Sequence, residues 1–175
     1  MAQSHSIFGD LNDTQHWYAL HTRSRHEKKV SERLAEKGVA NYLPLHTTYR
    51  RWSDRQKKVT EPLFSCYVFV NIALRNRLDV LQTDGAVNLV AFNGIPAKIP
   101  EQQIEAIRYV LSEVKSVEQA DFFQHGQKVR VEHGPLKGIE GTVVVKKNQH
   151  RLVIAIDAIH QAVSIEIDPG SLVRI

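Results

Sequence analysis

The amino-acid sequence predicts an α+β domain, with an antiparallel sheet flanked by helices, followed by a small all-β barrel of five strands. Up to about residue 115, segments with strand periodicity alternate with segments of helix periodicity. From residue 126 onwards only short strand patterns remain, and the charge balance changes in the same region. Mixed strands and helices are typical of α+β domains, whereas short strands alone are typical of a barrel. We therefore divide the chain into a polar tail (residues 1–15), a first domain (16–115), a linker (116–125) and a second domain (126–175).

The first two elements of the first domain are predicted to be a strand and a helix. Residues 16–22 are short, aromatic and flanked by polar residues, which predicts a strand. Residues 24–37 carry Val30 and Leu34 four positions apart, as on one face of a helix, and many basic residues on the remaining surface. Gly38 follows at the position where a left-handed residue commonly ends a helix.

A strand, a hairpin tip and a longer strand are predicted next. Residues 41–50 have strand character, and Pro44 among them indicates an edge strand or a bulge. Residues 50–58 carry five basic residues and one acid around a Ser-Asp turn, which is typical of an exposed hairpin tip. Residues 61–72 form a nearly continuous apolar run, which predicts one buried central strand.

The rest of the first domain is predicted to contain two helices and a strand. A short helix covers residues 78–81, and a strand at residues 87–92 leads into an Asn93-Gly94 turn. A longer helix is predicted after Pro100, because four apolar residues recur there at the spacing that places them on one side of a helix. These residues are Ile104, Ile107, Leu111 and Val114.

The second domain is predicted to contain strands and turns only. Residues 116–125 show neither strand periodicity nor helix periodicity, so we expect them to link the two domains. Five short strands within about fifty residues bury their apolar face most readily as a small closed barrel. The predicted strands are residues 128–132, 142–146, 151–157, 162–167 and 172–175.

Positive charge is concentrated in one stretch of the first domain. Residues 16–59 hold 11 basic and 4 acidic residues, whereas residues 116–175 hold seven of each. A concentrated basic face attracts polyanions and is the usual sign of nucleic-acid contact. A solvated face rich in lysine and arginine would give the same count, so charge alone leaves both interpretations open.

The composition gives no sign of a membrane protein or an enzyme. No apolar run approaches the roughly 20 residues of a membrane-spanning helix, and the first 15 residues lack the apolar core of a signal peptide. With a single cysteine, Cys66, we expect no disulfide framework and no structural zinc site, and its apolar neighbours indicate an inert buried thiol. The chain lacks the phosphate-loop, GxSxG and HExxH motifs. We expect a cytoplasmic monomer that binds no metal and no cofactor and contacts no membrane.

Segments in both domains resemble known families. Residues 126–143, GQKVRVEHGPLKGIEGTV, are similar to a KOW motif, in which Gly134, Gly138 and Gly141 allow positive φ and close backbone approach at a tight corner. The segments WYALHTRSRHEKKVSERLAEKG and EPLFSCYVFV resemble the N-terminal (NGN) domain of the NusG family, and the two resemblances together cover residues 16–175. The helix start TRSRHEKK and the hairpin RRWSDRQKK are most similar to its specialised RfaH-like and UpxY-like antiterminators.

This resemblance implies a bacterial factor for transcription elongation and antitermination. In the family, the N-terminal domain binds the clamp helices of the largest RNA polymerase subunit and suppresses pausing. The KOW domain binds the ribosomal protein that doubles as NusE, and in some members Rho. The resemblance therefore implies RNA polymerase, non-template DNA, this ribosomal protein and Rho as partners.

The resemblance also assigns roles to individual residues. Tyr67, Phe69 and Phe64 occupy the aromatic positions of the strand that faces the clamp, although Phe64 fits a core residue better. Because alternate residues of a strand share a face, Tyr67 and Phe69 are expected to be exposed together. Ile159 falls in the turn that presents an apolar residue to NusE. The residues expected at the non-template strand are Arg23, Arg25, Lys29 and Arg33.

Two positions depart from the family pattern, and one alternative function remains open. Ser65-Cys66 replaces the usual Pro-Gly or Pro-Asn before the tyrosine, and Asp84 replaces a basic DNA contact. Since KOW motifs also occur in ribosomal proteins, the alternative is an RNA-binding or ribosome-associated protein that acts in translation. The aromatic strand of the N-terminal domain favours the polymerase interpretation.

Overall fold

The structure, a computed structural model, describes residues 13–51, 56–113, 117–120, 126–146 and 149–175. These residues form two compact units. The first unit holds the described residues up to Leu43 together with Phe64–Glu101, and the second holds Pro44–Leu63 together with the described residues from Gln102 onwards. No helix within these ranges is both long enough and apolar enough to span a membrane.

The described part of the chain contains three α-helices and fifteen strands. The helices are α1 (Glu27–Glu36), α2 (Arg77–Leu81) and α3 (Glu101–Glu113). The strands before α3 are β1 (His16–Thr22), β2 (Asn41–Tyr42), β3 (Leu45–Arg51), β4 (Gln56–Pro62), β5 (Tyr67–Ile72), β6 (Ala86–Leu89), β7 (Ala91–Phe92), β8 (Ile95–Pro96) and β9 (Lys98–Ile99). Those after it are β10 (Glu118–Ala120), β11 (Gln127–Val131), β12 (Glu140–Lys146), β13 (Gln149–Ile156), β14 (Gln161–Glu166) and β15 (Leu172–Arg174).

The first unit is built on an antiparallel sheet with β1 near its centre. The strand order is β2-β5-β1-β6, and β9 also pairs with β1. One face of this sheet packs against α1, whose buried residues Val30 and Leu34 are the pair that predicted the helix. Tyr18 of β1 and Val70 of β5 are cross-strand partners within the same core. The strand at 16–22 and the helix that follows it are therefore confirmed.

Helix α1 ends as predicted but begins three residues later. At its end the Gly38 N–H donates to Ala35 O (2.9 Å) and the Val39 N–H donates to Leu34 O (2.9 Å), and Gly38 has φ +74°. This is a Schellman motif, which satisfies two of the last carbonyls. At the start, Arg25 has φ +62°, which is incompatible with a right-handed helix, so the predicted start at residue 24 is wrong.

The predicted single strand at 61–72 is wrong, because a turn divides it. Strand β4 ends at Pro62 and β5 begins at Tyr67. Between them Cys66 has φ +66°, which no regular strand residue adopts. Only β5 is central in the sheet, lying between β1 and β2. An apolar run indicates that its residues are buried, but it does not show that they form a strand. The turn residues Leu63 and Phe64 are buried as well, so the run continues through the turn.

Two other predicted strands, at residues 41–50 and 87–92, are also interrupted. The predicted hairpin around residues 50–58 is confirmed by the pairing of β3 with β4. The segment at 41–50 splits into β2 and β3 at Pro44, whose carbonyl accepts a hydrogen bond from the Leu63 N–H at 2.8 Å. Strands β3 and β4 pair antiparallel as far as Arg51 and Gln56, while the tip at 52–55 lies outside the described residues. The segment at 87–92 splits into β6 and β7.

Helix α3 forms where the sequence predicts it, with a slightly different buried face. Ile104 and Ile107 are buried as expected, and Val110 is the third buried residue in place of Leu111, which is half-buried. Val114 lies outside the described residues. Residues 104, 107 and 110 are spaced by three, which keeps them on one side of a helix of about 3.6 residues per turn.

The C-terminal residues form an antiparallel sheet that contains the five predicted strands and a sixth. The strand order is β10-β14-β13-β12-β11-β15. The additional strand, β10, lies within the segment predicted as a linker and pairs with β14. Buried apolar residues alternate on β11, where Val129 and Val131 are inaccessible, and run together on β13 and β14. The structure thus combines an antiparallel sheet flanked by helices with a C-terminal all-β sheet, as the sequence predicts.

Candidate functional site

The face of β5 that points away from α1 holds Tyr67 and Phe69, two of the three aromatic residues that the sequence singles out. Tyr67 lies opposite His21 of β1, and Phe69 lies opposite Ala19, so Tyr67 and Phe69 share one face as predicted. Tyr67 is half-buried, and its ring centroid lies 5.5 Å from that of His21. The exposed part of this face therefore includes a Tyr67–His21 ring pair.

Phe69 and Phe64 are core residues in this structure. Phe69 is fully inaccessible and Phe64 is 1% exposed. Their rings meet edge to face, with centroids 5.9 Å apart. The expectation that Phe69 is exposed is wrong, since this side chain is inaccessible and the Phe64 ring packs on it. The interpretation of Phe64 as a core residue is confirmed.

A buried carboxylate fixes the start of the aromatic strand. Glu27, in the first turn of α1, is 5% exposed, and its Oε1 accepts a hydrogen bond from the Cys66 N–H at 2.7 Å. The Cys66 carbonyl accepts from the Thr22 N–H at 2.8 Å. A carboxylate near a helix N-terminus is also stabilised by the helix dipole. These contacts hold Cys66 at positive φ and fix where Tyr67 begins the strand.

Cys66 therefore lies in a turn and is half-buried, so its predicted place inside an apolar strand is wrong. The replacement of the family's Gly or Asn by Cys66 places a side chain at a position with positive φ. A residue at φ +66° is normally Gly or Asn, because a side chain on Cβ is strained there. The hydrogen bond from Cys66 to Glu27 compensates for that strain.

The four residues predicted to contact DNA fall into two pairs with different surroundings. Arg25 and Lys29 are exposed, and neither makes an ion pair with any residue in the described ranges. Arg25 sits at positive φ (+62°) in the junction between β1 and α1. These two cations are available to an anionic partner.

Arg23 and Arg33 instead face the same carboxylate. Arg33 Nη1 donates to Asp84 Oδ2 at 2.6 Å and to the Asp84 carbonyl at 2.8 Å. Arg23 Nη1 lies 3.6 Å from Asp84 Oδ1. The hydrogen bond and charge of Arg33, with a smaller contribution from Arg23, hold the pKa of the Asp84 carboxyl below its usual value. Asp84 is therefore ionised at neutral pH and compensates part of the basic face.

Lys37, which directly follows α1, also holds α2 and the turn after it in place. Lys37 Nζ donates to the Asp79 carbonyl and to Thr83 Oγ1, each at 2.9 Å. A cation at the end of a helix satisfies its last carbonyls and is favoured by the helix dipole. Part of the positive charge that the sequence predicts for nucleic acid thus stabilises the fold.

Ile159, the predicted contact for NusE, is buried. It lies in a 3₁₀ turn at Asp157–Ile159 and is 7% exposed, so its expected exposure at a loop tip is wrong. The turn is tied to α3, because Gln103 Nε2 donates to Asp157 Oδ2 at 2.7 Å and the Asp157 N–H donates to Gln103 Oε1 at 3.3 Å. The 3₁₀ geometry directs the isoleucine inwards, while His160 leaves the turn at φ +50°.

Two of the three KOW glycines have the predicted conformation. Gly134 has φ +85° and Gly138 has φ +91°, and both face open space. Gly141 does not adopt positive φ and lies within β12. It is required for another reason: a Cβ at this position would collide with the Val153 carbonyl of β13 and lie 2.9 Å from Leu152 Cδ1. Its role is close backbone approach.

Sequence reasoning missed an exposed apolar pair on the β7–β8 hairpin. Phe92 and Ile95 are cross-strand partners and are 51% and 45% exposed. Asn93 and Gly94, both at positive φ, form the two-residue turn between them, which is typical of a type I′ hairpin. The signal was present, because the residues that flank an Asn-Gly turn face each other across the hairpin.

No three His, Cys, Asp or Glu side chains within the described ranges come together as metal ligands. An open cavity of about 300 Å³ borders Trp17, Asn71 and Lys98. The features of the first unit are the Tyr67–His21 ring pair, the basic junction before α1 and the Cys66 turn, and that of the second unit is the turn at Asp157–Ile159.

Comparisons with known proteins agree with this architecture. A family model described as "Transcription termination factor nusG" matches residues 15–108. The transcription termination/antitermination protein NusG of Lactococcus lactis is 26% identical over 168 residues, covering 88% of this chain and 90% of the relative. The transcription termination/antitermination protein NusG of Rickettsia bellii is 23% identical over 167 residues, covering 89% of this chain and 87% of the relative. A solved structure of NusG from Thermotoga maritima matches with TM-score 0.54 and 18% identity, covering 93% of this chain and 98% of that one.

Proposed function

The chain belongs to the NusG family of transcription termination factors, and from this membership we propose that it binds RNA polymerase and acts as a transcription elongation and antitermination factor. The observation that supports the proposal most directly is the half-exposed Tyr67, on the strand whose aromatic spacing matches the family. The proposed partner is the pair of clamp helices in the largest polymerase subunit, and the proposed effect is suppression of pausing.

The docking surface is centred on Tyr67 rather than on all three predicted aromatics. Tyr67 has a partly exposed ring, a neighbouring His21 ring and a strand start fixed by Glu27. An anchor held in place loses little conformational entropy on binding, and aromatic anchors commonly dominate interfaces. Phe64 and Phe69 support this surface from within the core. Phe92 adds exposed apolar area elsewhere in the same unit.

Contact with non-template DNA is assigned first to Arg25 and Lys29. Both are exposed cations at the start of α1, and neither is compensated by an ion pair within the described residues. Guanidinium and ammonium groups of this kind hold phosphate and orient a strand without reading its sequence. Arg23 and Arg33 differ from this pair, because Asp84 faces both of them.

The C-terminal sheet is proposed to recruit the ribosomal protein that doubles as NusE, and Rho remains a prediction for this domain. Since Ile159 is buried, binding through Ile159 requires its side chain to leave the position that it holds in this structure.

Replacing Tyr67 with Ala is expected to weaken polymerase binding by about 10-fold to 30-fold, as loss of a central aromatic anchor does. The protein should stay folded, because the ring is only half-buried. Binding of the full chain to purified core polymerase, and pause lifetimes on a defined template, measure the effect.

The matched control is Tyr109→Ala, which removes an exposed tyrosine from α3 and should leave binding unchanged. Equal loss in both variants, or full binding by Tyr67→Ala, would contradict the assignment. Retention of RNA but not of polymerase by the unmodified chain would favour the alternative role in translation.

Reversing the charges of Arg25 and Lys29 to Glu is expected to weaken the chain's hold on the elongation complex and to flatten its salt dependence. Removing one phosphate interaction lowers the slope of log affinity against log salt by about 0.7 for single strands. Titration of the complex at several salt concentrations measures this slope. Lys128→Glu with Lys137→Glu changes the same charge on the exposed surface of the C-terminal unit and serves as control. Identical slopes for the two double variants would rule out a local phosphate contact.

A further inference from the structure

Two arginines that belong to different elements converge on the carboxylate of Asp84. Arg23 follows β1, Arg33 lies in the last turn of α1, and Asp84 lies in the turn between α2 and β6. Arg33 binds one carboxylate oxygen and Arg23 approaches the other. Two guanidinium groups around one small oxyanion are the arrangement by which proteins also hold a phosphate.

We propose that Arg23 and Arg33 form a phosphate site for single-stranded DNA, and that the Asp84 carboxylate occupies this site as an internal competitor. The inference rests on the proposed function, because it concerns the nucleic-acid contact of the same domain. It assigns to Asp84 a role in setting affinity: a strand must displace the carboxylate before it engages both arginines.

The exposure of the three side chains makes such an exchange feasible. The side chains of Arg23, Arg33 and Asp84 are 64%, 41% and 65% exposed. Ion pairs exposed to this degree are screened by solvent and contribute little to stability. A phosphate that carries a full charge and several acceptor oxygens can therefore replace the carboxylate without disturbing the fold.

The arginines keep their positions when the carboxylate is absent, because backbone contacts hold this turn independently. Arg33 also donates to the Asp84 carbonyl at 2.8 Å, and the Arg23 N–H donates to the Gly85 carbonyl at 2.8 Å. Lys37 fixes the preceding residues through Thr83 Oγ1. The site is thus preorganised around a replaceable anion.

Competition from the Asp84 carboxylate is expected to weaken non-specific binding of single-stranded DNA. With the carboxylate in place, only Arg25 and Lys29 of the four predicted cations lack a facing acid among the described residues. Free single strands then bind weakly. A strand that is presented at this surface by the polymerase has a high local concentration and can displace Asp84.

The test is binding of the full chain to a fluorescein-labelled 12-nucleotide thymidine strand, measured by anisotropy at several salt concentrations. Asp84→Asn keeps the shape of the side chain and removes its charge. Affinity at low salt should rise about threefold to tenfold, and the slope of log affinity against log salt should become steeper by about 0.7 to 1.4, because one or two additional phosphates are bound. Asp84→Ser, which keeps the backbone acceptor, should give the same increase in affinity.

The matched control is Asp79→Asn, which removes the same charge from an exposed position on α2 whose carboxylate forms no ion pair within the described residues. Arg33→Ala should abolish most of the increase in affinity that Asp84→Asn produces, and a cycle of the two single variants and the double variant isolates this coupling. Equal increases for Asp79→Asn and Asp84→Asn, or no increase for Asp84→Asn and Asp84→Ser, would overturn the proposal.

Failure of this inference is distinguishable from failure of the proposed function. If Tyr67→Ala weakens polymerase binding while both Asp84 variants bind the strand like the unmodified chain, only the competitor role of Asp84 is refuted. If the Asp84 variants bind the strand more tightly through Arg33 but polymerase is not bound at all, the phosphate site stands and the proposed polymerase contact is refuted.

Discussion

Replacing Phe69 with Ala is expected to lower the free energy of unfolding of the N-terminal sheet by about 3–5 kcal/mol, the usual cost of removing a buried phenyl ring. Phe69 is inaccessible to solvent, and its ring packs edge to face with Phe64. Its strand lies between β1 and β2, so the surrounding backbone is held by two ladders and collapses poorly into the cavity. Urea unfolding followed by circular dichroism measures the change in midpoint and slope.

The comparison variant is Tyr67→Ala, two residues earlier on the same face of the same strand. Because Tyr67 is half-buried, we expect it to be clearly less destabilising than Phe69→Ala. The pair separates two explanations for any loss of polymerase binding. Loss in Tyr67→Ala with a stable fold reflects the interface, whereas loss in Phe69→Ala accompanied by unfolding reflects the core. Equal stability of the two variants would show that Phe69 is not a core residue.

Replacing Gly141 with Ala is expected to destabilise the C-terminal sheet by about 3 kcal/mol or more, the upper range for overpacking. The added Cβ would collide with the Val153 carbonyl and also press on Leu152 Cδ1 at 2.9 Å. The carbonyl belongs to the neighbouring strand, which pairs with β12 at Thr142 and with β14 on its other side, so it cannot move freely. Thermal and urea unfolding of the full chain, with a probe on the C-terminal sheet, measure the loss.

Gly138→Ala is the matched control within the same motif. A Cβ at Gly138 meets nothing within 4 Å, so its cost is limited to the strain of a side chain at φ +91°, about 1–2 kcal/mol. We therefore expect Gly141→Ala to be the more damaging of the two. The reverse order would mean that turn conformation, rather than close approach of β12 to β13, is the stricter requirement of this segment.

The sequence was sufficient to predict most elements, because their signals are local. The Val30–Leu34 spacing and Gly38 predicted helix α1 and its cap, and Asn93-Gly94 predicted a turn. The run at 61–72 misled for a physical reason: apolar side chains indicate burial, and a buried turn looks the same as a buried strand. Nothing in Cys66 itself indicates positive φ. The residue that supports this conformation, Glu27, lies 39 positions away.

The candidate site was harder to predict, because its properties arise from contacts between distant parts of the chain. Alternation placed Tyr67 and Phe69 on one face correctly, but exposure depends on what packs over each residue, and the Phe64 ring packs on Phe69. Arg33 and Asp84 are 51 positions apart, and nothing local shows that they pair. Ile159 was expected at an exposed tip, and only the contact between Gln103 and Asp157 reveals how its turn is held.

The central position of β1 has a consequence for synthesis of the protein. This strand begins at residue 16, yet it pairs with β5, β6 and β9, the last of which ends at residue 99. The chain emerges from the ribosome at about 5–20 residues per second. For several seconds after β1 has emerged, its backbone N–H and C=O groups therefore lack some of the strands with which they pair in the folded sheet. The β3–β4 hairpin can close during that interval, because its partners are neighbours in sequence. The N-terminal sheet forms late, and its earliest strand is the segment that most needs protection from aggregation during translation.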